Sequence, residues 1–251
     1  MRRFEGQVAV VTGASRGIGL SIAERLVSEG AQVVITARDE GALREAASAL
    51  GGPEAVHPVA GRADDPEHRA AVLDLVDREL GRLDLLVNNA GVNPAYGPAL
   101  EIDAAVVRKI LDVNVVSALE WSRDAMAHGL GDGDGGAIVN IASIAGLVAS
   151  PGIAFYGVSK AALISLTTQL AFELAPRVRV NAVAPAVVKT DFARALYAGR
   201  EEQVAASYPL ARLGTPTDVS GPVAFLLSRD AGWITGQTVV IDGGGSISPV
   251  S

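Results

Sequence analysis

Tyr156 and Lys160 stand four residues apart in FYGVSKAALISL, residues 155–166, a stretch that is otherwise largely apolar. On a helix, side chains at i and i+4 share one face and stack a turn apart. A phenol with an ordinary pKa of ~10 exchanges a proton near neutrality only where its anion is favoured, and an adjacent ammonium favours it through charge. A shift of three units corresponds to ~4 kcal/mol of differential interaction, which needs a site short of water. Taken alone, the pair reads better as a core aromatic beside a lysine whose stem lies along apolar surface.

Three further polar features change that reading. Ser143, in NIASIAG, lies at the carboxyl end of a strand-like run, where open parallel sheets bind ligands. Asn114, in LDVNVVSAL, is an amide within an apolar helical stretch and is costly there unless hydrogen-bonded. NNAG, residues 88–91, ends another strand-like run and sets Asn89, Ala90 and Gly91 on the same edge.

That edge also carries a glycine loop. The first strand runs into TGASRGIG, residues 12–19, and then into the amphipathic stretch LSIAERLVSEG. Gly13, Gly17 and Gly19 allow a sharp turn, close approach to a pyrophosphate and tight helix packing, with Ser15, Arg16 and Ile18 completing the loop. The spacing is TGxxxGxG rather than GxGxxG, so its place between first strand and first helix carries the dinucleotide reading. At the end of the second strand an acid would hold a ribose 2′-hydroxyl and repel a 2′-phosphate. Ala37 occupies that place, Arg38 follows, and Arg16 projects toward the same region, which favours NADP and leaves NAD as the alternative. The competing reading makes both arginines solvated, with Asp39 pairing one of them.

These residues need a frame to hold them. Seven β-branched runs alternate with helical stretches, the pattern of a single doubly wound Rossmann-type α/β domain over residues 1–251, its seven-stranded parallel sheet covered on both faces. GLGDGDGGA, residues 129–137, reads as a surface turn rather than a domain boundary. The net charge of −7 argues against nucleic acid and anionic membranes, and no apolar run reaches the ~18 residues that span a bilayer. Without cysteine or a signal-peptide core, a cytoplasmic address is expected, with a small-molecule partner or further copies of the chain. His57, His68 and His128 show no metal-ligand spacing, so no metal is expected, and Trp121 and Trp233 read as packing residues.

Taken together, TGASRGIG, NNAG, Asn114, Ser143, Tyr156 with Lys160, and the closing IDGG at 241–244 resemble the short-form members of the short-chain dehydrogenase/reductase family, in order and over nearly the whole chain. The chain looks most like the 3-oxoacyl-[acyl-carrier-protein] reductase-like and carbonyl-reductase-like members. The resemblance implies a tetrad: Tyr156 as general acid toward a carbonyl oxygen, Ser143 orienting that oxygen, Lys160 lowering the tyrosine pKa and holding the nicotinamide ribose, and Asn114 placing a relay water. It also implies that Val188 and Thr190 meet the nicotinamide carboxamide, and that residues 187–213 form a substrate lid. Two positions depart from the family pattern. Pro185-Ala186 replaces the common Pro-Gly, so that loop is expected to sit differently, and Arg62-Ala63 stands where an acid or amide usually meets the adenine. FYGVSKAALISLTTQLAFEL is apolar on more than one helical face, which suggests pairing with a second copy in a homodimer or homotetramer. The activity implied is NADPH-dependent reduction of a ketone, reversible as a secondary-alcohol dehydrogenase. The alternative is a dinucleotide-binding regulator or scaffold that keeps the fold without turnover.

Overall fold

Short aliphatic runs that are apolar on both faces suit a sheet covered on both sides. The computed structural model describes residues 2–133 and 135–247 and forms every such run into a strand. The strands are β1 (Val8–Thr12), β2 (Gln32–Ala37), β3 (Val56–Ala60), β4 (Leu85–Asn88), β5 (Gly136–Ile141), β6 (Val178–Pro185) and β7 (Thr238–Ile241). Met1, Asp134 and residues 248–251 lie outside the described residues; they fall within the single-domain range read from the sequence, and Asp134 within the surface turn.

All neighbouring strands pair in parallel, in the order β3–β2–β1–β4–β5–β6–β7. The chain starts at β1, moves outward to β3, returns to β4 on the other side of β1 and then proceeds outward to β7. The reversal between β1 and β4 opens a crevice at the carboxyl ends of the strands.

The helices are α1 (Gly17–Ser28), α2 (Glu40–Ala49), α3 (Pro66–Leu75), α4 (Ala104–Leu111), α5 (Ser117–Ala127), α6 (Ala154–Leu174), the short α7 (Arg194–Tyr197) and α8 (Glu201–Ala206), and α9 (Pro216–Leu227). Alternate strand residues divide the core between the two faces. Ala9, Val11, Val33, Ile35 and Val87 pack with Ile22 and Leu26 of α1, Leu43 of α2 and Val219 and Val223 of α9. Val8, Val10, Val34, Leu86 and Ile138 pack with Val72 and Leu73 of α3, Trp121 of α5 and Leu170 of α6.

The expectation that both tryptophans pack inward holds for Trp121, 1% exposed, and fails for Trp233, 100% exposed. Trp233 follows α9 in the connection to β7; its neighbours Ala231 and Ile234 turn inward to the core while its own ring points outward. His68 is buried edge-on to Trp121, their rings 6.0 Å apart, and His128 lies 2.6 Å from the Asp77 carboxylate. Among the described residues, no helix is long and apolar enough to cross a membrane.

Candidate active site

The turn out of β1 is built by glycines for two reasons. Gly13 and Gly17 have φ of 66° and 59°, a conformation unfavourable for side chains. At Gly19 a Cβ would come within 2.4 Å of Asn89 Nδ2 and 2.5 Å of the Gly13 carbonyl oxygen. Asn89 clamps the loop, its Nδ2 donating to the carbonyls of Thr12 and Gly13 at 2.8 and 2.9 Å. Thr12 Oγ1 accepts the N–H groups of Asn89 and Ala90, each at 3.0 Å, so the NNAG segment and the glycine loop form one unit.

The start of α1 differs from those of α2, α3 and α4. Asp39, Asp65 and Asp103 cap α2, α3 and α4 with their side chains. Arg16 sits at the α1 cap in extended backbone, makes no side-chain cap, and no acid follows in the first turn. A helix start in this condition presents N–H groups and positive dipole to an anion. The glycine turn and the uncapped helix together fit the pyrophosphate of a dinucleotide.

Arg38 is exposed and makes no ion pair among the described residues. Asp39 does not pair with it, since its Oδ1 accepts the Ala42 N–H at 3.0 Å. Arg16, 72% exposed at its side chain, lies 4.0 Å from Asp191. Arg62 is engaged elsewhere: its guanidinium holds Asp64 at 3.0 Å, and Lys109 holds the same carboxylate at 2.5 Å. Hydrogen bonding from Arg62, then from Lys109, keeps the Asp64 carboxyl well below the usual carboxylate range against the effect of burial. The Ala63 carbonyl accepts from Ser117 Oγ and Trp121 Nε1, each at 3.0 Å, which fixes the loop after β3 through its backbone.

Ser143 caps a single turn of 3-10 helix, Ile144–Gly146, its Oγ accepting the Ala145 N–H at 3.2 Å. That turn packs directly on α6. A Cβ on Gly146 would lie 2.7 Å from the Ala161 nitrogen, and one on Gly157 would lie 2.5 Å from the Ala145 carbonyl oxygen. Sequence reasoning passed over both glycines, although their small size beside Ser143 and Tyr156 was a usable signal. Their closeness brings Ser143 within hydrogen-bonding reach of Tyr156.

Lys160 is 3% exposed; its Nζ donates to the Ile141 carbonyl at 2.7 Å and lies 5.5 Å from the Tyr156 ring centre. Asn114 sits in a π-helical turn, Asp112–Val116, between α4 and α5. Its Oδ1 accepts the Val92 N–H at 2.8 Å, while Nδ2 donates to the Val92 carbonyl and to Ser159 Oγ, both at 3.0 Å. Ser159 in turn donates to the Tyr156 carbonyl at 2.7 Å. At Gly91 a Cβ would lie 3.4 Å from Asn114 Oδ1 and 3.5 Å from Lys160 Nζ, so these groups meet beside the glycine loop.

One electrostatic expectation is reversed. Burial pushes the Tyr156 phenol up to about 12, with a hydrogen bond involving Ser143 pulling the other way. Burial also pushes Lys160 down to about 8. The ammonium is directed at the Ile141 carbonyl and lies over the ring, and desolvation is the leading cause of both shifts.

The segment after β6 runs past the glycine loop and Tyr156. Ala186 keeps an ordinary backbone, and its N–H donates to the Ile241 carbonyl at 2.9 Å, continuing the β6–β7 pairing despite the missing glycine. Val188 is buried, and the Thr190 methyl lies 3.2 Å from the position a Cβ would take on Gly17. Phe192 then places its ring 6.0 Å from that of Tyr156. Beyond it, α7 and α8 are tied back by the Tyr197 hydroxyl, which donates to the Thr190 carbonyl at 3.3 Å, and by a Lys189–Glu201 ion pair.

Residues 13–246 match a family model described as enoyl-(acyl carrier protein) reductase. A Caenorhabditis elegans protein named dehydrogenase/reductase SDR family member 4 is 41% identical, covering 97% of this chain and 96% of its own length. An Erythroxylum coca protein named tropinone reductase-like 3 is also 41% identical, covering 97% and 94%. A solved structure from Brucella melitensis, titled short-chain dehydrogenase/reductase SDR: glucose/ribitol dehydrogenase, superposes with a TM-score of 0.92 over 99% of both chains at 32% identity. With this fold, this glycine loop and these relatives, the chain belongs to the short-chain dehydrogenase/reductase family of NAD(P)-dependent oxidoreductases.

Proposed function

We propose that the protein reduces a ketone with NADPH and, in reverse, oxidises a secondary alcohol, a 3-oxoacyl thioester being one ketone of this class. The observation that carries this reading is the meeting of the half-buried Ser143 and Tyr156 with the buried Lys160 beside the glycine loop. When bound, the dinucleotide supplies the hydride. Negative charge then grows on the carbonyl oxygen, and donors already in place stabilise it as it forms. Tyr156 gives that oxygen its proton, and Ser143 Oγ holds it by a hydrogen bond. Lys160 supplies positive charge behind the phenol, and Asn114 fixes Val92 and, through Ser159, the first turn of α6. A phenol pushed up to about 12 is protonated at neutral pH, the form reduction consumes, so reduction is favoured there and alcohol oxidation at alkaline pH.

The preference for NADPH is supported by Ala37 in place of an acid and by the exposed Arg16 and Arg38. Self-association is supported by the outer face of α6, where Phe172 is 87% and Val158 52% exposed; light scattering tests it, and a monomer at micromolar concentration overturns it.

The deciding assay follows NADPH oxidation over a panel holding an acetoacetyl thioester, tropinone, simple aliphatic and aromatic ketones, and an enoyl thioester. Turnover of a ketone is expected, with Tyr156→Phe lowering kcat roughly 100-fold or more at unchanged NADPH affinity. Reduction of the enoyl thioester alone, or wild-type turnover in the Tyr156→Phe variant, overturns the assignment.

A further inference from the structure

Asn140 and Thr167 are both 0% exposed and meet in the middle of the layer between β5 and α6. A buried amide and hydroxyl are costly unless satisfied, and an aliphatic pair of similar volume fills such a space without that cost. Here they are linked. Asn88 and Asn140 are register partners on β4 and β5; Asn88 Nδ2 donates to Asn140 Oδ1 at 2.9 Å, and Asn140 Nδ2 donates to Thr167 Oγ1 at 2.9 Å. Thr167 Oγ1 donates onward to the Leu163 carbonyl at 2.8 Å.

The chain of bonds runs beside the site. Asn140 immediately precedes Ile141, whose carbonyl receives the Lys160 ammonium. Thr167 follows Lys160 by two helical turns on the same face of α6. Apolar burial is non-directional, whereas a hydrogen bond from a fixed strand amide accepts only a narrow range of positions. We propose that the Asn88–Asn140–Thr167 chain is a positioning device that sets the register of α6 on β5, holding Lys160 on the Ile141 carbonyl and hence Tyr156 against Ser143. Its effect on turnover rests on the ketoreductase reading above; its effect on the lysine does not.

The test replaces Thr167 in the full chain by Val, which removes the hydroxyl at nearly constant volume, and by Ser, which keeps it. The only lysines are Lys109, Lys160 and Lys189, so NMR of isotope-labelled lysine Cε resolves the Lys160 titration directly. In Thr167→Val that titration is expected to move up from about 8 by roughly half a unit or more as water reaches the ammonium. In the same variant kcat is expected to fall about 10-fold while KM for NADPH stays within about two-fold. Thr167→Ser is expected to restore both. A Thr167→Val protein with wild-type lysine titration and kcat, whatever its melting temperature, overturns the proposal. Should that variant fail to fold, Thr167→Cys, a similar volume with a weak acceptor, takes its place under the same criteria. If the wild type turns over no ketone, the functional reading fails and the lysine titration still decides the register proposal.

Discussion

Glu29 and Lys160 are both ionisable groups almost out of water, 7% and 3% exposed, and the fold treats them in opposite ways. Glu29, directly after α1, accepts from Arg3 at 2.5 and 2.8 Å and is also paired with Arg25. The Arg3 guanidinium foremost, with Arg25, holds its carboxyl down at about 2 against burial. Lys160 has no ion-pair partner among the described residues; it meets the Ile141 carbonyl and the Tyr156 ring, and burial drives it down to about 8. The same contrast separates α2, closed by Asp39, from α1, which has no side-chain cap. Glu29 thus has its complement within the chain, whereas the described residues supply Lys160 with no counter-charge and α1 with no side-chain cap.

The contrast breaks most visibly at Lys160. Lys160→Met is expected to lower turnover by roughly 100-fold or more. Glu29→Gln is expected to lose about 2 kcal/mol at pH 7, read by denaturant unfolding, because Arg3 loses a charged acceptor. Since the folded carboxyl is depressed, its contribution is complete above pH 4.5 and disappears as pH falls through about 2, so wild type and Glu29→Gln converge in acid. An equal gap at pH 7 and pH 2 contradicts this. Lys160→Met is expected to gain about 1–2 kcal/mol at pH 7, desolvation being relieved while the Ile141 carbonyl loses its donor. The unfolded lysine binds more protons than the folded one between pH 8 and 10.5, so wild-type stability from this group rises across that window and the Met advantage shrinks there. Smallest is the effect at the second strand, where Arg38→Ala is expected to weaken NADPH about 10-fold by titration and leave NADH nearly unchanged. Equal losses for both cofactors remove the 2′-phosphate assignment.

The sheet was legible in the sequence because its strands are buried on both faces, so VAVVT and QVVITA stand out without any partner in view. The i, i+4 relation of Tyr156 and Lys160 was legible because it is local, whereas their grouping with Ser143 and Asn114 came only from the resemblance to the family. What escaped depends on contacts distant in sequence. Nothing near Lys160 in the chain says that its ammonium finds the Ile141 carbonyl or that burial leads the tyrosine shift, whose direction was misread. Ser159 and Val92 gain meaning only once Asn114 is known to sit in a π turn between them. Gly146 and Gly157 read as ordinary small residues until the two backbones are seen to touch. Trp233 was misplaced because an apolar neighbourhood does not reveal which of its side chains turn inward.

That last residue gives the molecule an optical report on itself. Its two tryptophans occupy opposite extremes, Trp121 sealed in the core and Trp233 in water, so their emission separates into a blue component and a red one. Loss of tertiary packing acts on the first. Any contact that shields the connection between α9 and β7, whether with another copy of the chain or with a surface, acts on the second, with no label attached.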